Sequence, residues 1–584
     1  MTAEQTKIAE ESHVKAPWLN VYGVVPPHLD YPDCTMYEAV ERCAGTYPNH
    51  TAYVFMGRKT TYRAMAAEID LCARALKATG VRPGDRITMA MPNCPQAVIM
   101  FYAINLVGAT ANMIHPLSSE KEIEFYLKES GSIFAVTLDQ FYHKFEAIRQ
   151  NVTLDNIILA SIPDALSKPV RVGYMLTEGR KQAKIPKDAP VLRWNEFLRR
   201  GRGYHWTYRA ERRAGDEAVI LYSGGTTGVT KGIQLTNLNF NALGKQIIAT
   251  NPMFRPGDKM LAVMPMFHGF GLGVSIHSML VSGGCCILVP RFTPDSYAKL
   301  LLKYRCNLIA GVPTLYEALL RLPKMKNADL SCLKGVYSGG DSLSVELKKR
   351  FDQFLFDHHA TIQVREGYGL TECVTASCLT PYHISREGSI GIPFPDTYYK
   401  IVEHGTQKEV PYGTEGEICL SGPTVMMGYL HHPEETAQTL QTHEDGLAWV
   451  HTGDLGYMDP DGFVYFRQRL KRMIVTSGYN VYPSQMENIL DAHELVQMSC
   501  VIGVPDPLKM QKVKAFVMLK PGVPANEETK AVLMAYIRKN VAKYALPYDI
   551  EFRAELPKTL VGKVAYRVLE EEELKKLSET AQEQ

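Results

Sequence analysis

The chain has 584 residues, 46% of them hydrophobic, and its 64 Lys and Arg nearly cancel 62 Asp and Glu to leave a net charge of +2. That length provides for about three to five compact units. The near-neutral balance argues against nucleic-acid binding as the main role, because such proteins carry a basic surface excess. The polar N-terminus MTAEQTKIAEESHVKAPW lacks the apolar core of a secretory signal, and the twelve cysteines form no CxxC pair. No apolar run reaches the roughly 18 residues of a membrane span. Together these features predict a cytoplasmic protein with reduced thiols.

In chain order, RITMAMPN reads as a strand entering a turn, and QAVIMFYAINLVGA has the apolar spacing of a helix. IFAVTL, NIILA, AVILYS, CCILVP, LIAGVP and GVYSGG read as further strands, several ending in Gly or Ser. Leu261 to Pro290 is broken by His268, His277, Ser275, Ser278 and glycines, so it reads as strand, loop and buried helix. Cys285 and Cys286 are expected to be buried strand residues. Alternation of this kind predicts an α/β fold with mostly parallel sheets and ligands at the carboxyl ends of strands. From about Tyr398, YYKIVE, GEICLSG and GFVYFRQ predict a smaller antiparallel barrel or sheet, and after RLKRMIVTSGYN a compact α/β pattern runs to a polar, frayed last helix. Six arginines, Arg199, Arg200, Arg202, Arg209, Arg212 and Arg213, cluster among aromatics. They read as a solvated linker, with a phosphate-bearing ligand or an anionic membrane surface as the alternative contact.

AVILYSGGTTGVTKGIQLTN carries the most chemistry. A strand runs into Ser223, Gly224, Gly225, Thr226, Thr227 and Gly228, followed by Lys231 and Gly232. Glycines bring backbone N–H groups close to an anion, the hydroxyls add donors, and Lys231 adds positive charge, which together suit a polyphosphate. The run is not a Walker A loop, since Lys231 follows Thr230 and precedes Gly232.

Seven further motifs stand in order: MPMFHGFGL around His268, GVPTLYEAL from Gly311, YSGGDSLS from Tyr337, EGYGLTE from Glu366, HTGDLG around Asp454, RLKRMIVTSGYNVYP from Arg469, and PKTLVGKV around Lys563. With the glycine-rich loop they resemble the adenylate-forming superfamily of acyl-CoA synthetases, peptide-synthetase adenylation domains and beetle luciferases, over nearly the whole chain. The resemblance implies a large N-terminal domain (1–470) of two doubly wound subdomains plus a small β-barrel. It also implies a small mobile α+β C-terminal domain (471–584) that rotates about Lys471 between adenylation and thioester formation.

Residue by residue, the resemblance implies Mg²⁺ held by Glu372 on the phosphates of ATP, phosphate contact from Thr371, and Tyr368 near the adenine. Gly339, Gly340, Asp341, Glu366 and Gly367 would border the nucleotide. Asp454 would accept from the ribose hydroxyls with Arg469 beside it, and Lys563 would offset charge as a carboxylate meets the α-phosphorus. His268 would wall the acyl channel, with Gly269, Gly271 and Gly273 leaving room for the chain, and the face near Gly478 would line the thiol channel.

Four residues depart from the family pattern: Thr230 in place of Pro, Gly225 in place of Ser, Gln468 in place of Gly, and Asp341 in place of a small apolar residue. A carboxylate buried at position 341 would need a partner or a proton. The expected activity is an ATP- and coenzyme A-dependent acid–thiol ligase, most like a medium- or long-chain fatty acyl-CoA ligase. Alternatives are an aryl or sterol acid, a carrier-protein acceptor and a non-catalytic binding protein. Peripheral membrane contact and a homodimer stay open.

Overall fold

The computed structural model describes residues 14–177, 185–186, 188–223, 230–476, 479–506, 509–559 and 562–582. Two large sheets dominate. In one, strands Thr110–Met113, Arg86–Ala90, Phe134–Leu138, Asn156–Ala160 and Leu192–Arg193 run parallel beside Glu217–Ser223, which turns back antiparallel into Lys231–Thr236. In the other, Thr51–Phe55, Cys285–Leu288, Lys259–Ala262, Leu308–Gly311, Gly335–Ser338 and Val364–Tyr368 form the parallel centre, with short antiparallel strands at both edges. The strands expected from IFAVTL, NIILA, AVILYS, CCILVP, LIAGVP and GVYSGG are all present.

Both sheets share one core. Helix Pro95–Leu106 lies at its centre with every residue buried, which explains why its sequence is apolar on all sides. Cys285 and Cys286 are buried, and the twelve cysteines are free thiols.

Strands Tyr398–Val402, Gly416–Ser421, Leu440–Thr442, Ala448–Met458 and Val464–Arg469 form a five-stranded antiparallel sheet over a second core around Trp18 and Trp449. A fourth sheet contains Ile474–Thr476, Tyr479–Val481, Val496–Asp506, Met510–Leu519 and Asp549–Phe552, and it has its own core. The expected polar helix is present as Tyr566–Gln582 and docks through buried Leu569 and Glu573, and the two residues after it lie outside the described residues. Lys514, 5% exposed, meets Glu551 at 2.7 Å and Glu573 at 2.8 Å, tying that helix to the sheet.

Three of the six clustered arginines meet protein groups through their side chains. Arg209 pairs with Glu41, Arg200 with Glu196, and Arg212 donates to the Gly108 carbonyl at 2.9 Å. No helix among the described residues is long and apolar enough to cross a membrane.

Candidate active site

Three adjacent parallel strands end at one place. Gly311 is the register partner of Ser338, and Ser338 of Glu366. The chain leaves these strands into Val312–Thr314, Gly339–Asp341 and Gly369–Glu372, at the carboxyl edge where open α/β sheets bind ligands. Gly340 has φ of 83°, a left-handed turn suited to glycine.

Lys563 reaches this edge from the far end of the chain. It follows a tight turn in which Gly562, at φ 87°, donates to the Thr559 carbonyl at 2.9 Å and Lys563 N–H donates to Thr559 Oγ1 at 3.1 Å. A Cβ on Gly340 would stand 3.3 Å from Lys563 Cε, so the lysine stem lies directly over that glycine. Burial pulls the Lys563 ammonium below the ordinary lysine range, and the nearby Asp341 carboxylate opposes that fall.

Asp341 is exposed and accepts from Ser342 N–H at 3.0 Å. Of the two readings open for this departure, a polar group facing the acid substrate or a side chain turned away into a hydrogen bond, the exposed position and the bond to Ser342 N–H fit the second.

Asp454 and Arg469 are register partners on antiparallel strands. Asp454 is 1% exposed, and its Oδ2 accepts from Tyr368 Oη at 2.7 Å. Arg469 Nε lies 3.0 Å from Oδ1. That contact lacks hydrogen-bond angles and leaves Oδ1 a buried acceptor with no donor. Burial raises the Asp454 carboxyl and Arg469 opposes the rise, while Asp454 in turn holds the Arg469 guanidinium up. Arg469 compensates the charge of this carboxylate, and the acceptor capacity left on Oδ1 suits a ligand donor.

Glu372 follows Thr371 in a short 3₁₀ turn and accepts from Tyr429 Oη at 2.8 Å. Lys231 Nζ lies 5.1 Å from the centre of the Tyr429 ring and 3.4 Å from Glu435. Burial together with the neighbouring charges of Lys231 and Arg567 lowers the Lys471 ammonium. Cations held near one another in this way suit an anionic ligand. Lys231 pairs in register with Ser223, while Gly224, Gly225, Thr226, Thr227, Gly228 and Gly478 lie outside the described residues.

Glu366 is spoken for. It lies buried beneath the Gly339–Leu343 turn, where its Oε1 accepts from Leu343 N–H at 3.1 Å, and burial pushes its carboxyl up to about 7. Gly367 continues the same strand beside Ser338 and Cys378.

His268 Nδ1 accepts from Phe270 N–H at 3.2 Å, which places the proton of a neutral ring on Nε2. Burial, aided by the charge of Lys563, lowers its pKa to about 3. The glycines after it do not leave open space. A Cβ on Gly269 would meet the Val374 carbonyl oxygen at 1.7 Å, one on Gly271 the Pro265 oxygen at 2.1 Å, and one on Gly273 Leu243 Cδ2 at 2.7 Å. These glycines permit close packing of a π-helix, Phe270–His277, and the expectation of a channel there is corrected.

Sequence reasoning missed Tyr429, which lies outside every motif, and Thr314, which sits inside GVPTLYEAL without drawing notice. Gln468, flagged only as a departure, is buried and accepts from Ser484 N–H at 3.1 Å and Ser484 Oγ at 2.7 Å. It thereby ties the strand before Lys471 to the helix Pro483–Asp491 after it.

A parallel-sheet edge that gathers a distant lysine beside a buried carboxylate–arginine pair defines a nucleotide-dependent enzyme of the adenylate-forming type. The chain belongs to the AMP-binding enzyme family: residues 40–430 match the family model, and residues 485–563 match the AMP-binding enzyme C-terminal domain.

Curated relatives include a long-chain-fatty-acid–CoA ligase of Bacillus subtilis (strain 168), 36% identical over 95% of this chain and 98% of its own. Another, from Salmonella typhimurium, is 33% identical over 96% of this chain and 98% of its own. Among solved structures, the anthranilate CoA ligase AuaEII in complex with anthranoyl-AMP is similar with a TM-score of 0.79 at 26% identity, covering 93% of this chain and 97% of that one.

Proposed function

We propose that this protein is an ATP-dependent fatty acyl-CoA ligase. In the first half-reaction a carboxylate oxygen of the acid attacks the α-phosphorus of ATP and the bond to pyrophosphate breaks. In the second, the thiol sulfur of coenzyme A attacks the acyl carbon, its proton goes to solvent, and AMP leaves. The observation that carries this reading is the docking of Lys563 over Gly340, where its charge is felt by His268 and by the Asp454–Arg469 pair. A fixed ammonium there offsets the repulsion between two anionic reactants. The two long-chain-fatty-acid–CoA ligases support the fatty acid as substrate.

In this reading Asp454 Oδ1 accepts from a ribose hydroxyl, Tyr368 lies beside the adenine, and Lys231 and Lys471 face the phosphates with Thr371. Gly339 and Gly340 keep the sheet edge low enough for the nucleotide to lie over it. Glu372, a hard oxygen donor already oriented by Tyr429, would hold Mg²⁺ together with phosphate oxygens, and that ion would neutralise phosphate charge. Chain 471–584 is a separate moving domain with Lys471 as its hinge, and the face near Gly478 lines the thiol path. Neutral His268 walls the acyl site without acting as an acid or base near neutral pH.

The test is acid-dependent pyrophosphate release with saturated fatty acids of increasing length, aryl acids and a sterol acid, each with and without coenzyme A. Long-chain acids are expected to give release and, with coenzyme A, a thioester. Silence with every acid would overturn the reading, and release without thioester would point to a carrier-protein acceptor. Lys563→Ala should slow adenylate formation by about 100-fold or more while ATP still binds. An unchanged rate would remove the role assigned to Lys563.

A further inference from the structure

A lysine that must meet a transition state needs its loop held in one place, and the Lys563 turn supplies little of that hold itself. Its own bonds, Gly562 N–H and Lys563 N–H to Thr559, travel with it whenever the turn moves. What fixes it to the sheet edge is on the other side. Thr314 Oγ1 donates to the Gly562 carbonyl at 3.0 Å, across 248 residues of chain. Among the described residues this is the hydrogen bond that joins the turn to the strand ends. Val312 and Gly340 add shape, since a Cβ on Gly562 would lie 3.4 Å from Val312 Cγ2 and one on Gly340 would lie 3.3 Å from Lys563 Cε. Shape alone limits how deep the turn can sink, whereas a directed bond also sets its orientation.

The platform under Thr314 is rigid. Thr314 stands in the first turn of helix Pro313–Leu320. One turn further on, Glu317 is buried, accepts from Arg350 at 2.7 Å and pairs with Arg321. Arg321 closes back onto the end of the same helix, while Arg350 ties Glu317 to the neighbouring helix Val345–Asp357, and the Thr314 hydroxyl is presented from that anchored base.

We propose that Thr314 is a positioning residue for Lys563, a latch that closes when the C-terminal domain docks for adenylation and opens when it rotates away. The proposal rests on the ligase reading above. If the bond is made only in the docked arrangement, as the proposal holds, its loss should weigh on one half-reaction and spare the other.

The test compares Thr314→Val, which keeps the shape and loses the donor, with Thr314→Ser, which keeps the donor. Single-turnover pyrophosphate release should fall by about 2- to 10-fold in Thr314→Val, the range for one net hydrogen bond. Thr314→Ser should stay within about twofold of the parent. Thioester formation from preformed acyl-adenylate and coenzyme A should be unchanged in both. Limited trypsin cleavage after Lys563, read without any substrate, should quicken in Thr314→Val by a similar factor.

Equal first-half rates and equal cleavage in Thr314→Val and the parent would overturn the latch. So would equal losses in both half-reactions, which mark damage to the fold, or a Thr314→Ser as slow as Thr314→Val. If the parent released no pyrophosphate with any acid, the ligase reading would fall and the latch's part in adenylation with it, and cleavage that still separated the variants would keep only the tether between Thr314 and the Lys563 turn.

Discussion

Replacing Gly269 by alanine adds a single methyl group, and the structure says where it goes. The new Cβ would stand 1.7 Å from the Val374 carbonyl oxygen and 2.7 Å from its carbonyl carbon. Neither atom is the end of a flexible side chain, so backbone must retreat by more than about 1 Å to restore an ordinary contact. Val374 can yield little, because it is fully buried and already sits at φ 67°, a strained conformation for a β-branched residue. The turn Thr371–Cys373 immediately precedes it, so movement of Val374 carries Glu372 along. Overpacking of this kind costs about 1–3 kcal/mol of stability, and a catalytic group misplaced by about 1 Å can cost about 100-fold in rate. The assay is pyrophosphate release at saturating ATP and acid, paired with thermal unfolding. Gly173→Ala is the control: no atom outside its own helix lies within 4 Å of the added methyl, and the change should be neutral or slightly stabilising. A Gly269→Ala protein with parental activity and melting temperature would refute the close-packing account and restore the open channel that the sequence suggested.

Two other outcomes follow from the site. The Glu366 carboxyl rises from its ordinary 4.5 to about 7 on burial, so the unfolded chain loses that proton first as pH increases. Stability is then unaffected below about pH 4.5, is lost between about 4.5 and 7, and is lower by a constant amount, on the order of 3 kcal/mol, above that. Glu366→Gln keeps an acceptor for Leu343 N–H and removes the titration. Its advantage in urea unfolding should therefore widen across that window and then level off, and a gap that ignores pH would count against the buried carboxyl. Tyr429→Phe deletes the donor to Glu372, so the magnesium concentration for half-maximal activity should rise by about 2- to 10-fold with little change in melting temperature. An unmoved magnesium requirement would separate Tyr429 from the metal.

The strands were readable because their β-branched runs are buried on both faces. Pro95–Leu106 was read from apolar spacing, but it is buried all round, Gln96 and Asn105 included, so its length and not a periodicity marks it as a helix. Lys563, Asp454 and Arg469 were singled out from motifs alone, and the structure brings them within range of one another's charge, while their roles belong to the reading proposed above. Exposure was harder to read. Whether Asp341 faced the core or turned away could not be decided from its motif, and the turn carries it outward. The glycines after His268 looked like empty space, although a missing side chain serves equally well to admit a backbone, and the oxygens of Pro265 and Val374 fill the place. Tyr429 and Thr314 could not be read at all. Their partners are 57 and 248 residues away, and nothing local in a tyrosine or a threonine announces such a bond.

The buried ammonium of Lys514 gives the final helix a weight its composition conceals. The match to the C-terminal family model stops at residue 563, and the helix begins three residues later. A protein engineer trimming the chain to the matched boundary would strip Glu573 from Lys514 and leave an under-compensated charge in the centre of the small domain. The damage would propagate through the residues that lead out of the Lys563 turn. For fusion, immobilisation or shortening, the stretch after the turn is therefore better treated as part of the catalytic apparatus than as spare chain.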